Sequence, residues 1–428
     1  MTARFGGQGG GRRRPRGEMV EMRTPIKTLT GAAAVLLLGT VLAACSSSST
    51  TNTTAPGSSA SVPSIAAGDF TSDFAVMQQL TGLASQGSGL IGVLLPDTTT
   101  STRYVQYDAP FLKKAFESAG LTADQFKIDN AQGSAATMQT QADADINAGA
   151  TVLLIDPLDP GSGAAIEAKA EQQGVKVIDY DRLVSGGPAD RYYVSFNNVQ
   201  VGQLIGKGEV DCISAWKVTN PNILIMDGDP TDNNAKLFAQ GYNGVLAPHF
   251  SDGSYTKVGE PPGTWTPSVA QTTFEQQYTA HPNINAVVTP NDDNANAVIS
   301  VLQKNSIPAN TFPTTGQDAS TAGLQNILKG YQCGTVYKPV YAEAQAAAAL
   351  ALYLRAGQTP PSTLVNSTTK DSEINKEIAS VYTTPVWVTT DNMADTVVKD
   401  SGITGVGPTA SDLCTGGLAS ACTAAGIS

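Results

Sequence analysis

Short apolar segments alternate with amphipathic segments of about 10–15 residues over most of this chain. Segments rich in Val, Ile and Leu and bounded by Gly, Pro or Asp are typical of buried strands, and apolar residues at helical spacing indicate helices. The predicted strands cover residues 89–96, 126–131, 151–157, 175–181, 192–198, 222–230, 257–260 and 284–292. The predicted helices cover 105–119, 138–150, 163–174, 201–216, 233–248, 269–282 and 294–305. This alternation predicts an α/β protein with parallel sheets built from right-handed βαβ units.

The alternating pattern starts again after Asn198, and the chain is longer than one core usually supports. We therefore predict two lobes with doubly wound parallel sheets, over residues 86–197 and 198–333. The segment 334–357 then adds a further strand and a long Ala-rich helix.

The N-terminal segment has the layout of a secretory signal: basic residues, about a dozen apolar residues, then small residues before Cys45. Residues 42–45, Leu-Ala-Ala-Cys, resemble the bacterial lipobox, in which the chain is cut before the cysteine and its sulfur takes a diacylglycerol. We predict a lipoprotein signal peptide over 1–44, and a lipidated Cys45 with a flexible Ser/Thr-rich tether over 45–85. The alternative is an ordinary signal peptide in which Cys45 is incidental.

The charge of the exported chain is strongly acidic. The full sequence has 26 Lys and Arg against 37 Asp and Glu, and removing residues 1–44 takes away seven of the former and two of the latter, which leaves a net charge of −16. Nucleic-acid binding requires clustered basic residues, so we expect no nucleic-acid partner. Beyond the signal, no apolar stretch is long enough to span a bilayer, so we expect membrane contact through the lipid anchor only.

Four cysteines follow Cys45, and an even number in an exported chain suggests two disulfides with three possible connectivities. We favour Cys414–Cys422, which closes a short loop, together with Cys212–Cys333. The alternative is free buried thiols. No Cys or His spacing suggests a metal site, so we expect neither a metal nor another cofactor.

Polar side chains follow the predicted strands of both lobes. Because ligands of open parallel sheets bind beyond the carboxyl ends of strands, these groups mark a candidate site. They are Asp97, Asp156, Asp179, Asp181, Arg182, Asp227, Asp229, Asp232, Asn233, Asn234, Asn291, Asp292, Asp293, Gln317 and Asp318. Carboxylates, amides and guanidinium groups suit a neutral polyhydroxylated ligand, whose hydroxyls both donate and accept hydrogen bonds. Taken singly, each such residue has an alternative role as a helix cap or turn residue.

Signatures of the common enzyme classes are missing from the sequence. It has no GxSxG elbow, Walker A loop, HExxH motif or GxGxxG after a strand. Paired carboxylates are compatible with a glycosidase, so an exported carbohydrate-active enzyme stays as an alternative. The export signal and the two lobes favour ligand capture without catalysis.

Six segments resemble, in order, the xylose-binding members of the type I periplasmic binding proteins of bacterial ABC sugar importers. They are YDRLV (180–184), YYVSFNNVQVGQL (192–204), DGDPTDNNAKLF (227–238), VVTPNDDNA (287–295), TTGQDAS (314–320) and TVYKP (335–339). The resemblance covers about residues 86–400. DNNAKLF and VYKP are specific for the xylose branch, whereas the YDR and GQD elements are shared by pentose and hexose binders.

The resemblance implies two α/β lobes joined by three hinge crossovers and closing on one monosaccharide, most simply D-xylose. It implies that about 334–383 completes the first lobe and that about 384–400 completes the second. Residues 401–428 lie beyond the resemblance, and we predict that they form a C-terminal tail specific to this subgroup. The implied partners are an ABC permease and, through it, its ATPase, with the binding protein acting as a monomer on the outer face of the cell membrane or in the periplasm. The alternative is a binding protein that serves a membrane sensor kinase.

The resemblance also assigns ten residues to the sugar site. Tyr104, beside Arg103, and Trp265 would form two aromatic walls, and the polar groups would bind hydroxyl or ring oxygens. The polar candidates are Arg103, Arg182, Asp232, Asn233, Asn291, Asp292, Asp318 and Lys338. Asp97 is a weaker candidate. Trp265 has an alternative role in packing between the lobes, and Lys338 in a hinge salt bridge.

Overall fold

The computed structural model describes residues 63–428. The predicted signal peptide, the lipobox with Cys45 and the start of the tether lie outside these residues. The strands are β1 Leu90–Leu95, β2 Phe126–Asn130, β3 Ala150–Ile155, β4 Lys176–Tyr180, β5 Tyr192–Phe196, β6 Asn222–Ile225, β7 Thr256–Gly259, β8 Ala286–Val288, β9 Thr335–Tyr337, β10 Ser367–Asp371, β11 Lys376–Thr383 and β12 Val386–Val388.

The strands alternate with helices of varied length. The α-helices are Ala75–Gln78, Thr81–Gln86, Ala109–Ser118, Ala135–Asn147, Pro160–Gln172, Asn198–Ala215, Asn233–Ser251, Pro267–Ala280, Asp292–Lys304, Thr321–Leu328, Val340–Arg355, Lys399–Thr404, Ala410–Leu413 and Ala419–Ala424. A 3₁₀ turn forms at Ala67–Asp69, and π turns form at Tyr104–Asp108 and Ala394–Val398. None of the helices in residues 63–428 has the length and apolar character needed to cross a membrane.

The first lobe contains a seven-stranded sheet in the order β10-β11-β5-β4-β3-β1-β2. All neighbouring pairs are parallel except β10 with β11 at one edge. The central strands β1 and β3 are apolar on both faces because helices cover both faces of the sheet. Leu94 and Leu153 pack with Met138 on one side, and Val93 and Val152 pack in the larger core with Leu350 on the other.

The second lobe contains a smaller sheet in the order β7-β6-β8, all parallel. Residues 314–317 extend it, because Thr314 forms a parallel bridge with Val287 of β8, and Gln317 forms one with Val336 of β9. β9 then pairs antiparallel with β12. The carboxyl ends of all these parallel segments face the first lobe across a cleft.

The chain passes between the two sheets three times: after β5 at residues 196–198, after β9 at 338–340, and between β11 and β12 at 383–386. The predicted fold class, with two doubly wound lobes and three crossovers, is confirmed.

The folded part of the chain begins well before residue 86, where the predicted tether was expected to end. Phe74, Met77 and Leu80 are buried in the core of the first lobe. Arg355 Nη1 donates to the Ala84 carbonyl at 2.9 Å, and Gln345 Nε2 donates to the Thr71 carbonyl at 2.9 Å. The region from residue 65 to 85 is therefore not a flexible linker, because its apolar residues cover the end of the long helix Val340–Arg355.

The last residues pack onto the second lobe. Leu413, Leu418 and Ile427 lie in one buried cluster with Leu324. This segment also reaches the first lobe, where Lys114 Nζ donates to the Thr404 carbonyl at 2.8 Å. What the sequence suggested was a tail over 401–428 is thus a folded part of the body.

Two disulfides connect the cysteines in the pairing that we favoured. Cys212, in helix Asn198–Ala215, is bonded to Cys333 just before β9, and Cys414 is bonded to Cys422. The Cα atoms are 5.8 Å apart in both pairs. The first bridge connects parts of the second lobe that are 121 residues apart in the chain.

Replacing Leu80 tests whether the segment before β1 is part of the core. Leu80→Ala leaves a cavity in the first lobe, so the free energy of unfolding should fall by about 2–5 kcal/mol. Gln78→Ala, at an exposed position two residues earlier, is the matched control and should change it by less than about 0.5 kcal/mol. Urea denaturation measures both, and equal stability of the two variants would show that the segment does not pack.

Candidate functional site

A cavity of about 290 Å³ lies between the two lobes. It is formed where the parallel strands of both sheets end, as the fold class requires for a ligand site. The residues around it are Ser101, Arg103, Tyr104, Asp181, Arg182, Asp232, Asn234, Phe238, Trp265, Asn291, Gln317, Asp318 and Lys338.

Eight of the ten predicted site residues line this cavity, and Asn233 and Asp292 do not. Both follow the N-cap residue of a helix, where the next side chain turns away from the cleft. Asn233 is half-buried beside a neighbouring space. Asp292 is buried beneath the loop, where it accepts hydrogen bonds from the Ser320 backbone at 2.7 Å and from Gln332 Nε2 at 2.8 Å.

Five lining residues were not among the ten predicted. Asp181, Asn234 and Gln317 are direct sequence neighbours of predicted residues in the YDR, TDNNA and GQD segments. The polar residues after the strands therefore identified the correct loops. The sequence pattern did not determine which of two adjacent side chains faces the cavity. Phe238 ends the DNNAKLF segment but was not assigned to the site, and Ser101 carried no signal in the sequence.

Arg103 lies at the centre of a buried group of carboxylates. Its Nε and Nη2 donate to the two oxygens of Asp108 at 2.9 and 2.6 Å, Nη1 donates to Asp181 at 2.8 Å, and Nη2 also reaches Glu343 at 2.7 Å. All three nitrogens are thus engaged within the protein. Arg103 therefore holds these carboxylates in position, and the second N–H of Nη1 makes no hydrogen bond in the described residues.

In this cluster around Arg103, the pKa values of two carboxyl groups are shifted in opposite directions. Burial opposes ionisation of Asp181, but the charges of Arg103, Lys338 and Arg182 outweigh it and lower its pKa to about 2. Burial raises the pKa of Glu343 to about 8 although Arg103 is adjacent. Asp181 is therefore the ionised acceptor of the group, and it also accepts the Tyr104 hydroxyl at 3.0 Å.

Arg182 keeps more donors for a ligand than Arg103 does. Its Nε is 3.3 Å from Asp232 and 3.6 Å from Asp156, and Nη1 makes one long hydrogen bond to the Pro157 carbonyl at 3.4 Å. Within the described residues, Nη2 makes no hydrogen bond. Arg182 can therefore donate to a bound molecule.

Two aromatic side chains form the walls of the cavity. The Tyr104 ring lies 5.5 Å from the guanidinium carbon of Arg182. Trp265 donates from Nε1 to Asp232 at 3.0 Å, and its ring meets Phe238 edge-on with centroids 6.4 Å apart. A Cβ on Gly228 would lie 2.3 Å from the Trp265 ring, so only glycine permits this position.

The second lobe supplies amides and an ion pair. Asn291 Oδ1 caps helix Asp292–Lys304 by accepting from the Asn294 backbone at 3.0 Å, which leaves its NH₂ group to the cavity. Gln317 Oε1 is buried with no hydrogen-bond partner in the described residues. Lys338 Nζ lies 3.1 Å from Asp318 and 3.9 Å from Asp181, so it bridges the lobes at a crossover.

The charges around the cavity balance. Three cations, Arg103, Arg182 and Lys338, face three carboxylates, Asp181, Asp232 and Asp318. This balance favours an uncharged ligand, and the mixture of donors, acceptors and aromatic faces suits a polyhydroxylated ring. No set of His, Cys, Asp and Glu side chains in residues 63–428 is arranged to hold a metal ion.

Comparison with known proteins agrees with this geometry. Residues 91–359 match the periplasmic binding protein domain family. The chain is 38% identical over 293 residues to the D-xylose-binding periplasmic protein of Escherichia coli, covering 68% of this chain and 84% of that protein. It is 32% identical over 278 residues to the D-xylose-binding periplasmic protein of Haemophilus influenzae, covering 64% and 79%.

A solved structure shows the same fold. The carbohydrate transporter solute-binding protein of Chloroflexus aurantiacus, in complex with D-glucose, superposes with a TM-score of 0.66 at 28% identity. The match covers 76% of this chain and 98% of that one.

The fold and cleft are those of a solute-binding protein that closes on its ligand. This chain belongs to the type I periplasmic binding protein family, which contains the sugar-binding subunits of bacterial ABC importers. The relatives are transport proteins and not enzymes, so the alternative of a carbohydrate-active enzyme finds no support. Membership of this family agrees with the predicted export.

Glu343→Gln tests the charge distribution around Arg103. Because folding raises the pKa of Glu343 to about 8, the folded protein binds one more proton than the unfolded chain between about pH 4.5 and 8. The contribution of Glu343 to stability is complete below about pH 4.5 and is lost as the pH rises to about 8. Urea denaturation at pH 5, 6, 7 and 8 should therefore show a smaller loss of stability in Glu343→Gln than in the parent. Glu377→Gln, at an exposed position, is the control, and a parental pH slope in Glu343→Gln would contradict the assignment.

Proposed function

We propose that this protein is the substrate-binding subunit of an ABC importer, that its ligand is D-xylose in the pyranose form, and that it is anchored outside the membrane through a lipid on Cys45. The observation that carries the ligand assignment is the charge-balanced cavity between the lobes, walled by Tyr104 and Trp265 and lined by amides and Arg182. Such a cavity can satisfy the hydroxyls of one pyranose while an aromatic face covers its CH groups.

Xylose rather than another aldose is favoured by the relatives and by sequence. The curated relatives of known ligand that match above 30% identity over most of their length include two named for D-xylose. The DNNAKLF and VYKP segments point to the same branch. D-Glucose, the ligand of a solved relative, has the same ring configuration and adds a hydroxymethyl group, so it is the competitor that a test must include.

Closure of the cleft is the proposed mechanism. Arg182 belongs to the first lobe, and Asn291 and Gln317 belong to the second, so one ligand contacts both and favours the closed form. In this structure the lobes also meet directly, since the Tyr107 hydroxyl donates to the Ala319 carbonyl at 3.1 Å and the Thr102 backbone donates to Asp293 at 3.2 Å. The closed, loaded form would dock as a monomer on the permease, which its ATPase drives.

A role in signalling uses the same closure with a different partner. A binding protein that feeds a sensor kinase would present its closed form to the sensor and not to a permease. Neighbouring genes discriminate the two, since a transport operon encodes a permease and an ATPase.

Calorimetric titration tests the ligand and one residue of the site together. D-Xylose should bind the parent protein, and Gln317→Ala should lower the affinity about three- to tenfold, because a buried amide loses its hydrogen bonds to hydroxyls. Gln303→Ala, at an exposed position of helix Asp292–Lys304, should bind as the parent does. D-Glucose is titrated in parallel.

Each result has a distinct meaning. If glucose binds more tightly than xylose, the proposed ligand changes from a pentose to a hexose, and the cavity remains the proposed binding site. Parental affinity in Gln317→Ala would remove Gln317 from the ligand contacts. No heat and no thermal shift with any common aldose would reject the sugar assignment.

The lipid anchor is tested separately. Cys45→Ser should prevent lipidation and release the exported protein from the membrane fraction, because the two acyl chains are what hold it there. Fractionation of cells followed by intact-mass measurement reports both effects. A serine variant that stays in the membrane fraction as the parent does would mean that residues 42–45 are not a working lipobox.

A further inference from the structure

Asp318 and Ala319 form a strained turn at the edge of the cavity between the lobes. Their φ angles are 92° and 50°, and they are the only adjacent non-glycine residues in 63–428 with positive φ. Alanine has no polar side chain that could offset the left-handed conformation, so the turn must be held by its surroundings. Because Gln317 and Asp318 both line the cavity, this turn determines how the two side chains face a ligand.

The second lobe holds the backbone amides of this turn. The Asp318 N–H donates to the Val336 carbonyl at 2.9 Å, and the Ala319 N–H donates to Thr335 Oγ1 at 3.2 Å. The Ala319 carbonyl has no donor in its own lobe. Within the described residues it accepts only from the Tyr107 hydroxyl of the first lobe, at 3.1 Å. The hydrogen bonds of the turn are therefore complete only when the two lobes meet.

Tyr107 is held in place by its own lobe. It belongs to the π turn Tyr104–Asp108, whose first residue forms a wall of the cavity. The Tyr107 ring stacks on Phe111, with centroids 6.3 Å apart and an angle of 11° between the ring planes. Burial, with the charges of Asp292 and Asp318 nearby, raises the pKa of Tyr107, so its hydroxyl stays protonated and available as a donor.

We infer that Tyr107 is a positioning residue of the sugar site: when the lobes close, its hydroxyl donates to the Ala319 carbonyl and holds the turn in the conformation that directs Gln317 and Asp318 into the cavity. This inference rests on the proposed function, because it takes a sugar as the ligand of the cavity. Tyr107 does not itself line the cavity, so it acts on the sugar only through the turn.

This role predicts which step of binding depends on Tyr107. A hydrogen bond that exists only in the closed form increases affinity by favouring that form. Because sugar enters the open form, loss of the hydroxyl should accelerate dissociation and leave association unchanged. Glycine adopts positive φ without a steric cost, so a turn with glycine at position 319 should depend less on Tyr107.

Titration and stopped-flow measurements with D-xylose on the full exported chain test the inference, with the fluorescence of Trp265 in the cavity wall as the signal. Tyr107→Phe keeps the stacked ring and should lower the affinity about three- to tenfold, through faster dissociation. In an Ala319→Gly background, the same substitution should lower the affinity by about twofold or less. Tyr331→Phe is the matched control and should bind as the parent does, because the Tyr331 hydroxyl also donates to a carbonyl, that of Ile307 at 3.3 Å, but within one lobe.

The outcomes separate the inference from the proposed function. Parental affinity in Tyr107→Phe would make the inference wrong while the proposed function stands. Equal losses in the parent and Ala319→Gly backgrounds would mean that Tyr107 does not act through the turn, which also overturns it. A loss of the same size in Tyr331→Phe would assign the effect to general stability and reject the inference. If the parent protein binds no aldose, the proposed function has failed and the inference fails with it.

Discussion

The ion cluster around Arg103 is the interaction on which the cleft depends. It joins the loop after β1, the loop after β4 and the helix Val340–Arg355, because Asp108, Asp181 and Glu343 come from these separate places. Removing one partner of a buried ion pair typically costs about 3–5 kcal/mol, since the other charge is left without compensation. Arg103 therefore fixes the position of Asp181, and the rest of the site is built on Asp181.

Asp181 connects the two lobes through its backbone as well as its carboxylate. It lies in the left-handed region with φ 58°, which turns its carbonyl oxygen toward the second lobe. That oxygen accepts from Asn234 Nδ2 at 2.8 Å and from Ser195 Oγ at 2.9 Å. The carboxylate faces Lys338 of the crossover. Because Arg103 spends four of its five N–H groups on these carboxylates, Arg182 is the guanidinium with more donors for a ligand.

The strands of both sheets and the loops that form the site could be predicted from the sequence, and the reason is physical. Apolar segments that end at Asp, Asn or Gly report burial and strand direction locally, and both are set within a few residues. The role of Arg103 could not be predicted from such local patterns, because Glu343 is 240 positions away in the chain and only the fold brings the two residues together. The short helices Ala75–Gln78 and Thr81–Gln86 were missed since four to six residues show no helical period, and Leu80 is defined as core only by its contact partners.

The polar lining explains why the cleft should close on a ligand and not on itself. When the lobes meet, Gln317 Oε1 and the Asn291 amide lose their hydrogen bonds to water. No group in the described residues donates a hydrogen bond to Gln317 Oε1 in place of water. An unmatched buried polar atom costs about 1–3 kcal/mol, which works against the direct contacts between the lobes, such as Tyr107 with Ala319. Sugar hydroxyls remove this cost because they supply the missing donors and acceptors. A ligand can shift the open–closed equilibrium only by its difference in affinity for the two forms, and these few atoms are where that difference arises.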